Sequence, residues 1–134
     1  APAPIEDAFS ASEVVEQAMV IGDDRKFVSA LLVPNFEHIT AWAANQGIDL
    51  PDAHAAVCED ERVIDYVGQE VERINGNFES YETIKKFRLV PLEFTEDNDL
   101  LTPTMKKKRR NILERFEQKV EDMYPEDEEV EAPA

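Results

Sequence analysis

The stretch AMVIGDDRKFVSALLVP, residues 18–34, decides the fold. AMVIG, 18–22, is a short apolar run closed by Gly22. FVSALLVP, 27–34, is a second run, ended by Pro34, which has no N–H to give to a ladder. Between them lie Asp23, Asp24, Arg25 and Lys26. Two β-prone runs across a Gly-Asp turn predict an antiparallel hairpin.

Upstream of the hairpin, Pro4 suits the first turn of a short helix in which Ile5, Ala8 and Phe9 share a face, ended by Ser10 to Ser12. Downstream, Asn35 is the expected N-cap of a helix running to Gln46, with Gly47 as its stop and Phe36, Ile39 and Ala43 on one face. Leu50-Pro51 opens a short helix through Cys58. Residues 60–75 carry the clearest helical period, with Val63, Val67, Val71 and Ile74 in one stripe before Gly76. FESYETI, 78–84, reads as a turn or short helix, KKFRLVPLEFT, 85–95, as a third strand, and EDND, 96–99, as a polar loop. From about Lys107, the spacing of Ile112, Leu113, Phe116, Val120 and Met123 predicts a last helix. The sum is an α+β fold, a small three-stranded antiparallel sheet with helices packed on it. The predicted domain covers 1–120, and the acidic, proline-flanked 121–134 is expected to be a disordered tail.

Composition narrows the function. The chain has 134 residues, room for one domain with a modest core. Cys58 stands alone, so no internal disulfide forms, and no ligand set for a metal surrounds it; a small buried thiol is the reading. No run of about 18 apolar residues exists to form a membrane helix, and no signal peptide is visible, so the expected location is cytoplasmic. The opening APAPIE, without a Met, is expected of an excised fragment. The formal charge of −16 should repel nucleic acid. Such acidity resembles that of proteins from salt-loving organisms, where carboxylate repulsion is screened. An ordinary acidic domain is the plain alternative, and composition leaves both open.

One segment breaks the acidity. LTPTMKKKRR, 101–110, opens a window, 106–120, that holds seven of the fourteen cations and only two acids, Glu114 and Glu117. Lys106, Lys107 and Lys108 are consecutive, and such a cluster beside a helix start suits an anion such as phosphate. A solvated loop that meets nothing explains the same residues, and on the residues alone the two readings stand level. A nucleic-acid or acidic-partner module is a third reading. No aromatic residue interleaves the run, and the charge elsewhere opposes a polyanion. His38 and His54 fall in predicted helices without a partner at ligand spacing and read as surface or packing residues.

Several separated motifs then point one way. Ala3-Pro4-Ile5-Glu6, the VIG and ALLVP strands within 20–34, FESYETIKKFRLV at 78–90 and LTPTMKKKRR occur in the order seen in one family. The chain resembles the C-terminal domain of adenylate-forming enzymes of the AMP-binding superfamily, and among them the long-chain fatty acyl-CoA synthetases. The resemblance runs over most of 3–118 and is least specific in the middle helices. That family carries a mobile catalytic lysine in a loop written roughly L-T-P-x-G-K-x-x-R. The resemblance implies Lys106 as that lysine, with Lys107 one register away, and Arg109 as the trailing arginine. Met105 stands where the pattern has glycine.

The resemblance also implies a long-chain-fatty-acid–CoA ligase in two half-reactions. A fatty acid carboxylate attacks the α-phosphate of ATP, carried with Mg2+, and CoA then takes the acyl group from the adenylate. Lysine suits the first step as a compact charge on a long stem. The hairpin residues Gly22, Arg25 and Lys26, together with Arg109, are the implied contacts for nucleotide or CoA. The partner is a large N-terminal AMP-binding domain of the same chain. That domain would bind most of ATP, Mg2+, CoA and fatty acid, and any peripheral contact with a membrane. A fragment of this size is expected to be inactive alone. Within the superfamily, an aryl-CoA ligase or a carrier-loading adenylation domain is the alternative, because the acyl pocket lies outside this chain.

Overall fold

The computed structural model describes residues 3–125. Its elements run α1 (Ala3–Ala8), β1 (Val15–Ile21), β2 (Ser29–Pro34), α2 (Phe36–Asn45), α3 (His54–Val57), α4 (Glu61–Asn75), β3 (Lys86–Leu89), α5 (Arg109–Arg115) and α6 (Glu117–Asp122). The expected hairpin is present: β1 pairs antiparallel with β2, from Val15 opposite Pro34 to Ile21 opposite Ser29. The fold is α+β with three strands in the order β1-β2-β3.

The sheet is mixed rather than antiparallel throughout, because β3 runs parallel to β2. The reason lies in the connection. Three helices separate β2 from β3, and the 15-residue α4 spans about 22 Å. That length carries the chain back along the sheet, so β3 starts beside the start of β2. β3 is also shorter than the expected 85–95. Val90 adds one more hydrogen bond to Leu32 O, at 2.9 Å, and Pro91 then stops the ladder.

Both faces of β1 and β2 are covered, so alternate residues feed two cores. Ala18, Val20, Ala30 and Leu32 face Val63, Val67, Val71 and Ile74 of α4 and Ile39 of α2. Met19, Ile21, Leu31 and Val33 face Phe94, Leu100, Ile112, Val120, Met123 and Tyr124. The four α4 residues are those of the sequence stripe, all buried. α2 begins as expected: Asn35 Oδ1 accepts the His38 N–H at 3.1 Å. It stops at Gly47, whose φ of +70° suits a residue without Cβ.

Three boundaries differ from expectation. α3 holds only His54–Val57, while residues 51–53 remain outside it. The last helix starts at Arg109 and breaks at Phe116 (φ −115°, ψ 31°), giving α5 and α6. The predicted domain limit at 120 falls inside α6, and Met123 and Tyr124 are fully buried beyond it. The remainder of the expected tail, 126–134, lies outside the described residues.

Candidate functional site

The basic segment forms a tight hairpin ahead of α5. Leu101 and Lys107 make an antiparallel bridge. Within it the Met105 N–H donates to Thr102 O at 2.9 Å and the Thr102 N–H to Lys106 O at 2.8 Å. Pro103 occupies the second turn position, which its fixed φ favours. Thr102 Oγ1 also accepts the Lys106 N–H at 3.1 Å. Met105 takes φ +65°, the left-handed region. A three-residue loop of this kind needs one such residue to match the strand twist. Met105, which stands where the family pattern has glycine, thus takes a conformation that glycine adopts without strain.

The cations here are not equivalent. Lys108 Nζ binds Asp99, and Lys107 Nζ reaches Glu6 Oε1 at 3.2 Å. Arg109 Nη2 grips both Glu6 oxygens, at 2.7 and 2.9 Å, and its Nη1 donates to Val20 O at 3.2 Å. The side chains of Lys106 and Arg110 are exposed and have no hydrogen-bond or ion-pair partner among the described residues. The bridge at Lys107 sets neighbouring side chains on opposite sides, sending Lys107 inward to Glu6 while Lys106 stays in solvent.

Glu6 is the hub. Its side chain is 8% exposed, and Oε2 accepts the Val20 N–H at 2.8 Å in addition to the Arg109 bond. Burial works against the ionised form. The Val20 N–H, the Arg109 guanidinium and the Lys107 ammonium nevertheless hold its carboxyl below the usual carboxylate range. The sequence offered Glu6 only as part of a motif. An ion pair spanning 103 residues leaves no local signal.

The β1–β2 tip lies apart from this cluster. Arg25 Nη2 pairs with Glu121 at 2.9 Å, and its guanidinium sits 4.6 Å from the centre of the Tyr124 ring. Lys26 is exposed, and Gly22 is half-buried against Val28. Arg109 and Glu6 both reach β1 near the tip, at Val20. An open groove of about 220 Å3 runs between α1, β1 and the lysine hairpin, with Glu6, Phe9, Met105 and Lys107 in its wall. Asp7 and Glu16 also line it, so it does not suit an anion.

Other reactive groups are quiet. Burial pushes the Cys58 thiol up to about 12, leaving no thiolate for chemistry at neutral pH. His38 Nε2 meets Tyr66 Oη at 2.8 Å, and His54 stacks on Phe36 at 3.7 Å, both packing roles. No group of three or more His, Cys, Asp or Glu is placed to hold a metal among the described residues. No helix among them is long and apolar enough to cross a membrane.

The family model for the AMP-binding enzyme C-terminal domain matches residues 1–128. The chain belongs to that family. A long-chain-fatty-acid–CoA ligase of Mycobacterium tuberculosis is 34% identical over 124 residues, which cover 92% of this chain and 21% of that protein. Long-chain-fatty-acid–CoA ligase 1 of Homo sapiens is 32% identical over 127 residues, covering 92% of this chain and 18% of the relative. This AMP-binding C-terminal domain therefore spans about a fifth of the length of the curated relatives it matches. The A-PCP didomain of carboxylic acid reductase from Segniliparus rugosus, solved in complex with AMP, shares the fold at a TM-score of 0.72 and 24% identity. The superposition covers 98% of this chain and 17% of that one.

Proposed function

We propose that this AMP-binding C-terminal domain is the mobile small domain of an ATP-dependent long-chain fatty acyl-CoA ligase, and that Lys106 is its catalytic lysine. One observation carries the choice of residue: among the three consecutive lysines, only Lys106 has an exposed side chain without a partner among the described residues. Lys107 and Lys108 already neutralise Glu6 and Asp99. A cation that must enter an anionic site and leave again cannot be spent on a structural carboxylate.

In this reading the large domain of the same chain holds ATP with its Mg2+, the fatty acid and most of CoA. The domain brings Lys106 to the point where negative charge gathers between the acyl carboxylate and the α-phosphate. A positioned cation in a closed, poorly hydrated site stabilises that transition state more than the ground state. After adenylation the domain turns and presents its hairpin tip to CoA. Lys26 offers a free charge there, Gly22 a backbone without a side chain, and Arg25, held by Glu121, a fixed part of the wall. The fatty acyl branch is favoured over an aryl or carrier-loading one by the identities of 34% and 32% to fatty acyl ligases.

The test is Lys106→Ala in the full-length protein. Pyrophosphate release from fatty acid and ATP should fall on the order of 10²- to 10³-fold, the usual cost of one lost transition-state contact. Acyl-CoA formation from supplied acyl-adenylate should persist. Lys107→Ala should lose less adenylation than Lys106→Ala; the larger defect at Lys107 instead would shift the catalytic position by one residue. If neither variant slows adenylation, the loop is a solvated surface and the reading fails.

A further inference from the structure

We infer that Glu6 is the positioning residue of the lysine hairpin, acting on Lys106 through Lys107 and Arg109. The inference rests on the reading of Lys106 as the catalytic lysine. Glu6 lies on α1, a hundred residues before the loop, and its nearly buried carboxylate meets three donors. The Val20 N–H fixes one oxygen to the edge of β1 at 2.8 Å. Arg109 closes the same point from the other side, with Nη1 on Val20 O and Nη2 on both Glu6 oxygens. The carboxylate and guanidinium together clasp one peptide position of the sheet. The sheet is packed on both faces.

That clasp holds the lysine loop from below. Lys107, the residue after Lys106, points its ammonium at Glu6, and Arg109 opens the helix that follows the loop. From above, both backbone polar groups of Lys106 are bound to Thr102. The Cα of Lys106 is therefore fixed against the sheet while its side chain stays free. Such an arrangement delivers a flexible charge to one place each time the domain closes. Charge-assisted bonds suit this task, being short, strong and directional.

A purely structural salt bridge would affect stability and both half-reactions alike. A positioning role predicts a different pattern, readable in the full-length enzyme. Glu6→Gln keeps an acceptor for Val20 but removes the charge that draws Lys107 and Arg109 together. Its kcat for pyrophosphate release should fall by up to about 100-fold, the loss that a misplacement of about 1 Å can cause. KM for ATP and fatty acid should hold, and so should acyl-CoA yield from supplied acyl-adenylate. In a Lys106→Ala background, Glu6→Gln should cause no further loss, because its effect travels through that lysine. Hydrogen exchange of backbone amides across 101–109 should quicken in Glu6→Gln.

Arg109→Lys keeps the charge but loses the two-pronged grip on Glu6, and it should repeat the quickened exchange across 101–109 should Glu6→Gln prove too unstable to assay. An equal loss in the Lys106→Ala background, matched loss in both half-reactions, or unchanged exchange with wild-type adenylation would overturn the inference. If Lys106→Ala itself leaves adenylation intact, the functional reading falls, and exchange across 101–109 still decides the clasp. Faster exchange in Glu6→Gln supports it and unchanged exchange removes it.

Discussion

Ending the chain after Val120 should unfold it, although sequence alone sets the domain limit there. Met123 and Tyr124 are each 0% exposed and seal the core under Met19, Ile21, Leu31 and Val33. The Tyr124 ring stacks on Phe27 at 4.5 Å. Its hydroxyl lies 2.9 Å from Phe27 O and 2.7 Å from Ser29 Oγ, a buried hydroxyl in its own right. Tyr124→Phe strips those partners and should cost about 1–3 kcal/mol. Removing the whole ring costs about 3–5 kcal/mol and a buried Met side chain about 2–5 kcal/mol, so the truncation loses roughly 5–10 kcal/mol. That is comparable with the whole stability of a small domain, about 5–15 kcal/mol. Urea titration followed by Trp42 fluorescence is the assay. Trp42 is the sole tryptophan and stacks on Tyr66 at 4.1 Å, against the core on the opposite face of the sheet. Its signal therefore reports whether damage beneath one face melts the other. The truncated chain should show no folded baseline, and Tyr124→Phe a transition at lower urea than the parent. An unchanged Trp42 transition after truncation at 120 would refute the reasoning.

Three further outcomes are expected. Met105 sits at φ +65°, so a β-branched Met105→Val should be less stable than Met105→Gly by about 1–2 kcal/mol in the same titration; the reverse order would mean that no strain resides there. The melting temperature should rise between 0.1 M and 1 M KCl, because a net −16 repels itself and the screening length shrinks from about 10 Å to about 3 Å; a flat or falling curve removes the salt-adapted reading. Stability should drop on acidification: Glu6 and Glu70 are held below the ordinary carboxylate range, so their contribution is complete above the unfolded value near 4.3 and is lost as pH falls through the folded one. Glu6→Gln should flatten that acid limb, and an unaltered slope would mean that Glu6 titrates alike in both states.

Periodicity made much of the fold legible. The stripe of Val63, Val67, Val71 and Ile74 and the paired apolar runs of the hairpin each state their partner face locally. The direction of β3 was not readable, because Lys86–Leu89 carries no mark of polarity and its sense is set by the path of α4. The break at Phe116 was equally hidden, since Ile112, Phe116 and Val120 keep helical spacing across it. At the candidate site, sequence brought out the lysines as a cluster. It could not separate them, because the difference between Lys106 and Lys107 is a carboxylate that the chain supplies from α1. Gly22, Arg25 and Lys26 share a turn in sequence, yet Arg25 is committed to α6 by Glu121, which no local pattern announces.

The side-chain clasp at Val20 has a second consequence, for solubility. β1 is an outer strand, and at Val20 both its N–H and its C=O face away from β2. Unclaimed, such a pair is a template on which another chain can build a strand. Glu6 and Arg109 occupy it from positions 103 residues apart, so the C=O half of this edge stays uncovered until synthesis has passed residue 109. Between the emergence of β1 and that of Arg109, a nascent chain carries a sticky rim that the finished domain hides. Variants that weaken the clasp should therefore surface first as inclusion bodies in the producing cell, before any loss appears in a melting curve.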